Sequence, residues 1–385
     1  MKIFRCETCG NALFFENVTC LQCGSALAFL PDRLALCAIE AAPGVEEGLW
    51  RRKASQRRRA GVRLYRLCQN HQAYQACNFA VDAADSNHFC VSCRQTGVLP
   101  DLSVTGNLER WIRIERAKRR LFYTLAKLGL SSVNPPEGGS SGPVFQFLAD
   151  LPGQRVMTGH LNGLITLNVA EADDEERTRR RVAMHEPYRT LLGHLRHESG
   201  HFYWERLIQL GDQVDRFRAV FGDESLDYAQ AISDHYARGE VSDWQLTHVS
   251  AYAASHPWED WAETWAHYLH MVDLLETAAS YQTKVVVPGH EEDENDEVVN
   301  PFSAESANFD LLVHQWVPVT LLLNSLNRSL GQDDAYPFAL AGAALEKLRF
   351  VHDVIHEAAN WGSAPSGADS AQPGVAEPAA ASAQG

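Results

Sequence analysis

The sequence predicts an α+β protein in two parts, a small cysteine-rich module followed by a mainly helical body with a small sheet. Three observations carry that expectation. All nine cysteines of the 385-residue chain fall between Cys6 and Cys93. Beyond residue 100, apolar residues recur mostly at helical spacing, and one stretch, 163–170, alternates in polarity as a strand does. Charge divides at nearly the same place: residues 1–130 carry 19 Lys/Arg against 11 Asp/Glu, a balance of +8, and the remaining 255 carry 15 against 38, a balance of −23. The expected organisation is a zinc-binding module over 1–100, a body over 101–360 and an unstructured tail over 361–385. A composition 45% hydrophobic and 9% aromatic excludes disorder as the main state. No apolar run approaches the roughly 20 residues a bilayer span needs, and Met1 to Arg5 lead into a cysteine motif without an export signal. A cytoplasmic protein is expected, and in that reducing compartment metal binding explains the cysteines better than disulfides do.

Within the front module, Cys6-Glu-Thr-Cys9-Gly10 and Cys20-Leu-Gln-Cys23-Gly24 are two knuckles, each placing two thiolates on one tight turn. Together they form a closed four-cysteine zinc site. Cys68, Cys77, Cys90 and Cys93 make a second set in which only the last pair has knuckle spacing. A second zinc is expected there, and Cys37 is left as a small buried apolar residue. A basic segment, 51–66, separates the sets and offers a surface for nucleic acid or an acidic partner, the protein's own acidic body included.

An amphipathic helix over 106–129 joins the modules, and Pro135 to Pro143 read as an exposed loop. A strand over 163–170 and a charged helix over 172–183 follow. Glu186-Pro187 then opens a long helix to about Leu210, and further helices cover 225–237, 257–280, 309–327 and 338–359. Residues 286–299 form an acidic loop.

The long helix contains His197-Glu198-Ser-Gly-His201. At 3.6 residues per turn the two histidines share a face and can hold one zinc, with Glu198 beside them facing a metal-bound water. His194 fits a packing or hydrogen-bonding role better, since one helix does not easily turn three imidazoles onto one ion. The third ligand is expected from the helix opened by Pro257. There Glu259 and Glu263 lie one turn apart, Glu259 as the ligand and Glu263 as acceptor of a ligand histidine's N–H. Asp223 and Glu224 are alternative carboxylates better suited to a turn and a helix start.

HExxH followed by Glu259-Asp-Trp-Ala-Glu263 resembles the gluzincin metallopeptidases. A closer resemblance covers residues 3–357. Cys6 to Cys93, Glu186-Pro-Tyr-Arg-Thr-Leu-Leu-Gly-His-Leu-Arg-His-Glu198, His256-Pro-Trp-Glu-Asp-Trp-Ala-Glu-Thr-Trp-Ala-His-Tyr268 and Asn324-Ser-Leu-Asn-Arg-Ser-Leu-Gly-Gln332 are similar to a bacterial family of zinc-ribbon proteins with a zinc-binding metallopeptidase domain. The resemblance implies a zincin-like body behind a zinc ribbon, and zinc-dependent peptide hydrolysis with Glu198 as general base. Tyr252 resembles in placement the oxyanion tyrosine of toxin-type gluzincins, with His256 as the alternative, and the strand at 163–170 would bind an extended substrate along its edge, as in zincins. Two four-cysteine zincs and one catalytic zinc are expected. The alternative is a zinc-stabilised adaptor or nucleic-acid-binding regulator whose HExxH helix only builds structure.

Overall fold

The computed structural model describes residues 1–54, 62–130, 142–151, 153–183, 189–289, 296–303 and 308–361. The centre of the basic segment, most of the loop at 135–143, Glu186-Pro187, the middle of the acidic loop and the tail lie outside the described residues.

The front module starts with a small hairpin, β1 (Phe4–Arg5) on β2 (Ala12–Leu13). An antiparallel sheet follows, built from β3 (Ala26–Leu30), β4 (Ala35–Ala41), β5 (Trp50–Arg52), β6 (Leu64–Leu67) and β7 (Ala80–Asp82) in sequential order, with the short helix α1 (Gln69–Tyr74) before β7. A bridge between Phe29 and Phe79 brings β7 back beside β3, so the sheet curls toward closure. Both faces are covered, which the period of two explains. Leu27, Phe29, Leu36 and Ala38 join an aromatic core in which Phe29 stacks on Phe79 at 4.3 Å; Ala28, Leu30, Cys37 and Ile39 pack on the other side. Cys37 is one of those packing residues, its thiol pushed up to about 11 by burial.

The helix α2 (Asn107–Lys127) serves both cores. Tyr123 enters the front aromatic cluster, while Trp111, Ile114, Leu121 and Leu125 pack into the body. The body's sheet comprises β8 (Thr96–Val98), β9 (Val144–Leu148), β10 (Gly159–Leu161) and β11 (Leu164–Asn168), ordered β10-β11-β9-β8, with only β10 antiparallel to its neighbour. The predicted strand is therefore interior. β9 and β10 occupy both of its edges, so it has no open N–H and C=O row for a substrate, and β10 holds the edge next to the HExxH helix.

Helices follow: α3 (Asp174–Ala183), α4 (Leu191–Tyr203), α5 (Val214–Phe221), α6 (Tyr228–Arg238), α7 (Pro257–Ser280), α8 (Phe309–Ser329) and α9 (Gly342–Trp361). The HExxH helix starts later than Glu186-Pro187 suggested. Thr190 is extended, and its hydroxyl oxygen caps the helix by accepting the Gly193 N–H at 2.9 Å. A π-helical segment, Trp204–Gln209, continues it. No described helix is long and apolar enough to cross a membrane.

The front module docks on α2 and on the C-terminal half of α7. The Met1 amine donates to the Asp273 carbonyl and to Thr277, and the Lys2 and Ile3 N–H groups donate to Glu276 and Ser280. Along α7, Glu276 lies about 25 Å from Glu259 at 1.5 Å per residue, so this contact is remote from the HExxH helix's partner residues. Described arginines of the basic segment are answered inside the module: Arg51 by Glu40, Arg63 by Asp32 and Asp82, Arg66 by the Asp85 carbonyl. Arg110 and Arg113 of α2 reach Asp173 and Asp174 of the acidic body.

Candidate metal centres

The structure gathers the cysteines into two groups of four, Cys6/Cys9/Cys20/Cys23 and Cys68/Cys77/Cys90/Cys93, each with its sulfurs within 4.8 Å of one another. In the first, Gly10 and Gly24 have φ of 80° and 67°, and each donates its N–H back to the leading cysteine's carbonyl at 2.8 Å, closing the knuckle. Sulfur separations of 3.6–3.7 Å recur in both groups. A tetrahedron with 2.3 Å zinc–sulfur bonds has edges of about 3.8 Å, so both groups fit a zinc ion. The second group is wholly buried. Backbone N–H groups of Phe79, Cys90 and Cys93 point at its sulfurs at 3.4 Å, and the buried Arg119 guanidinium feels the charge of Cys77, Cys93 and Cys90. Fixed dipoles and a nearby cation offset the cost of burying thiolates.

A third group lies between α4 and α7. His197 Nε2 is 3.1 Å from Glu259 Oε2, and His201 Nε2 is 3.6 Å from Glu259 Oε1. His197 Nδ1 lies 2.7 Å from Glu263 Oε1, whose other oxygen accepts from Ser250 at 2.7 Å. With its Nδ1 proton given to Glu263, His197 turns Nε2 toward a carboxylate oxygen at 3.1 Å, a contact that only a second ring proton or a cation can bridge, and two imidazole nitrogens with one carboxylate are the donor set zinc takes.

Burial opposes charge on His197, but Glu259 and Glu263 overcome it and hold the imidazole well above its usual value. Burial would likewise raise Glu259, yet His201 and His197 pull it well below the carboxylate range. Glu198 behaves differently: burial pushes it up, the two histidines only partly countering. It is 7% exposed, and its Oε2 meets no hydrogen-bond donor.

Packing explains how two helices bring these groups together. A Cβ on Gly200 would come within 3.0 Å of Ala262 Cα and 3.1 Å of the Trp265 ring, so any side chain here would push the two helices apart by a few tenths of an ångström. Trp261 donates its indole N–H to the Gly200 carbonyl at 2.8 Å, and Trp265 donates to Ser199 Oγ at 3.1 Å. Pro257 opens α7, and His256 caps it.

That cap corrects the expectation for His256 as a donor to substrate. Its Nδ1 accepts the Trp258 N–H at 3.1 Å and its Nε2 faces the Leu226 carbonyl at 3.2 Å, so both ring nitrogens are used in holding the helix start. Tyr252 lies beside His197, ring centres 6.1 Å apart, and burial pushes its phenol well above the usual value. Two residues were missed from sequence. Tyr228, on α6, donates its hydroxyl to Glu259 Oε1 at 2.8 Å. His160, on the edge strand β10, lies 6.1 Å from the His201 ring; burial pulls it down to about 4, so it is neutral, and its Nε2 accepts the Gly163 N–H. Neither sits in a motif, because an exposed helix and a three-residue strand deliver them. His194 turns to Glu171 at 3.5 Å, and Asp223 and Glu224 pair with Arg218.

With this geometry in view, a family model described as "Putative zinc-binding metallo-peptidase" matches residues 107–354, and a zinc-ribbon domain model matches 3–104. Uncharacterized proteins of Mycobacterium bovis and of two Mycobacterium tuberculosis strains are each 42% identical over 360 residues, covering 93% of this chain and 96% of each relative. No solved structure matches the chain significantly.

Proposed function

Since the chain belongs to this zinc-binding metallo-peptidase family, with a zinc ribbon in front, we propose that it hydrolyses peptide bonds by a gluzincin-type mechanism in which Glu198 is the general base. The observation that carries the reading is the buried Glu198 carboxylate, without a donor on Oε2, beside a three-residue donor set whose first histidine is oriented by Glu263. A purely structural zinc site has no use for a free carboxylate at that place.

His197, His201 and Glu259 would hold the catalytic zinc, and the two cysteine groups one structural zinc each, three ions per chain. When bound at the first site, zinc supplies Lewis acidity, making water nucleophilic near neutral pH and polarising a peptide carbonyl. Glu198 accepts the proton of the attacking water and passes it to the leaving nitrogen. Burial, which raises the carboxylate's proton affinity, suits it to that shuttle. Glu263 keeps the His197 proton on Nδ1, so Nε2 stays a donor atom. The Tyr252 phenol, beside His197, is the hydrogen-bond donor on hand for a developing oxyanion, since the single Tyr228 O–H is already given to Glu259. An extended substrate would add to the sheet at β10, and the −23 balance of the body favours basic or neutral peptides. A reducing cytoplasm would keep the eight thiols available as ligands.

The test is Glu198→Gln in the full-length protein, assayed on a broad peptide library with zinc content measured in parallel. Three zinc ions per chain should remain and cleavage should fall by about 10²–10⁴-fold. Undiminished cleavage would sink the mechanism. A zinc-loaded wild type that cleaves nothing would instead favour an adaptor or nucleic-acid-binding role.

A further inference from the structure

The two histidines of the HExxH helix are not equally provided for. His197 gives its Nδ1 proton to Glu263 at 2.7 Å, and Glu263 is held in turn by Ser250. His201 also turns Nε2 toward Glu259, so a zinc-holding ring keeps its proton on Nδ1, yet that atom is buried and meets no hydrogen-bond partner among the described residues. Trp258 covers one face of the His201 ring, centres 3.9 Å apart, which limits its tilt but offers its edge nothing to bind. A buried N–H left unpaired is costly, and a metal-bound imidazole regularly has its second nitrogen occupied.

A second ring proton in the same state lies close by. The His160 side chain, on β10, is fully buried; its Nε2 accepts the Gly163 N–H, so the proton of the neutral ring is on Nδ1, and Nδ1 likewise meets no acceptor within hydrogen-bond distance. The His160 and His201 rings are inclined by only 24°, centres 6.1 Å apart. One carboxylate faces this pair. Glu205 Oε1 lies 4.0 Å from His160 Nδ1, and the Glu205 carboxylate has no hydrogen bond among the described residues. Glu205 follows His201 by four residues, at the start of the π-helical segment, so the two side chains share a face. Side chains on a helix lean toward its amino end, which carries Glu205 back toward the His201 ring. Burial pushes the Glu205 carboxyl up while Arg206 and His201 pull it back, so the field of the His201 ring reaches it.

From this juxtaposition we infer, on the reading that His197, His201 and Glu259 hold zinc, that Glu205 is the positioning carboxylate of His201, as Glu263 is of His197, and that His160 pins Glu205 in place from the edge strand. Two N–H donors and one carboxylate with unfilled oxygens make a complete set. The 4.0 Å span to His160 closes through a small turn of the Glu205 side chain or one bridging water. A carboxylate behind an imidazole fixes its tautomer and makes the opposite nitrogen more basic. The pairing also ties a metal ligand to β10, the strand at the sheet edge, so the metal site and the place where a peptide would add are held in one frame.

The zinc-loaded full-length protein, isotopically labelled in its histidine rings, tests this without any substrate. Chelator competition should first show a third ion in the wild type; two ions alone would overturn the zinc reading and the role of Glu205 with it. Glu205→Gln and Glu205→Ala should each weaken the third ion about tenfold, the lower end of the range for such partners because one carboxylate serves two rings. The two ribbon zincs should stay in place. The Glu205 side chain is 32% exposed, so neither variant should disturb folding. Ring spectra separate positioning from packing. In the wild type the Nδ1 protons of His201 and His160 should exchange slowly and resonate downfield, as protons in charge-assisted bonds do; Glu205→Gln should move both upfield, while Glu263→Gln moves the His197 signal instead. His160→Phe keeps the ring volume without its nitrogens and should weaken the ion less than Glu205→Gln does. A third ion held as tightly in both Glu205 variants, or a His201 Nδ1 proton that stays put in them, overturns the proposal and leaves the zinc reading standing. A His160→Phe protein indistinguishable from wild type would overturn the part given to His160.

Discussion

The second cysteine group and the HExxH group are both buried clusters of metal-binding side chains, but they are finished differently. Around Cys68, Cys77, Cys90 and Cys93, backbone N–H groups point at sulfur, and the Glu115 carboxylate, 3.9 Å from Cys93 Sγ, is itself held by Lys118 and Thr96. Around His197, His201 and Glu259 there are three donors, then a carboxylate with a bare oxygen and the phenols of Tyr228 and Tyr252. A site meant to hold a metal uses its neighbours to complete the shell; a site meant to use one keeps a group in reserve. That difference can be broken or sharpened by experiment.

The largest effect is expected from the closed groups. Structural zinc in small modules contributes on the order of 10 kcal/mol to folding, so Cys90→Ser should lower the measured stoichiometry from three ions per chain to two and open residues 1–104 to limited proteolysis. His201→Ala should also give two ions, yet leave the proteolytic pattern close to wild type. Identical proteolysis in both variants would erase the contrast. Glu263→Gln comes next: the amide still accepts the His197 N–H but loses its charge, and zinc affinity at that site should drop about 10–100-fold in a chelator competition. Gly200→Ala forces a methyl between α4 and Ala262, and a loss of about 1–3 kcal/mol of stability should appear in denaturant unfolding.

The smallest effect concerns pH. Burial works to raise Glu171, but Arg189, His194 and Arg180 hold it below its usual value. A carboxylate depressed in the folded state stabilises above its unfolded value, about 4.5, and loses that contribution as pH falls through the lower folded value. Glu171→Gln should therefore melt below wild type at pH 7 by about 2 °C or less, the gap narrowing toward pH 3. A gap that widens in acid would reverse the assignment.

How far these features could be read in the sequence depended on the length of their signals. α7 was legible from end to end because Pro257 marks its start and tryptophans at 258, 261 and 265 repeat at helical spacing. The Glu259/Glu263 pair followed from the same spacing. Gly200 was visible only as a blemish in a helix; its purpose depends on Ala262 and Trp265, 62 and 65 residues further along. The front sheet went unread because its strands are short and buried on both faces, which removes the alternation that marks a half-exposed strand. The open sheet edge beside the HExxH helix was given to the wrong strand for a related reason. Residues 164–168 have the β-branched pattern of an interior strand, whereas the true edge, Gly159–Leu161, is three residues long. Tyr228 carried no local signal, since α6 buries none of its residues and meets Glu259 only through tertiary packing.

The sharing of α2 between two cores acquires a further meaning during synthesis. Ribosomes emit residues from the amino end at about 5–20 per second, so the ribbon and α2 have left the tunnel well before α7 is translated. Tyr123 can then seat in the aromatic cluster while Trp111 and Ile114, on the same helix, are still bare. The nascent chain would present a prefolded template with one greasy side, onto which the later helices condense. Chaperone dependence should accordingly concentrate in that interval, and a ribbon that cannot take up zinc should delay the body as well as itself.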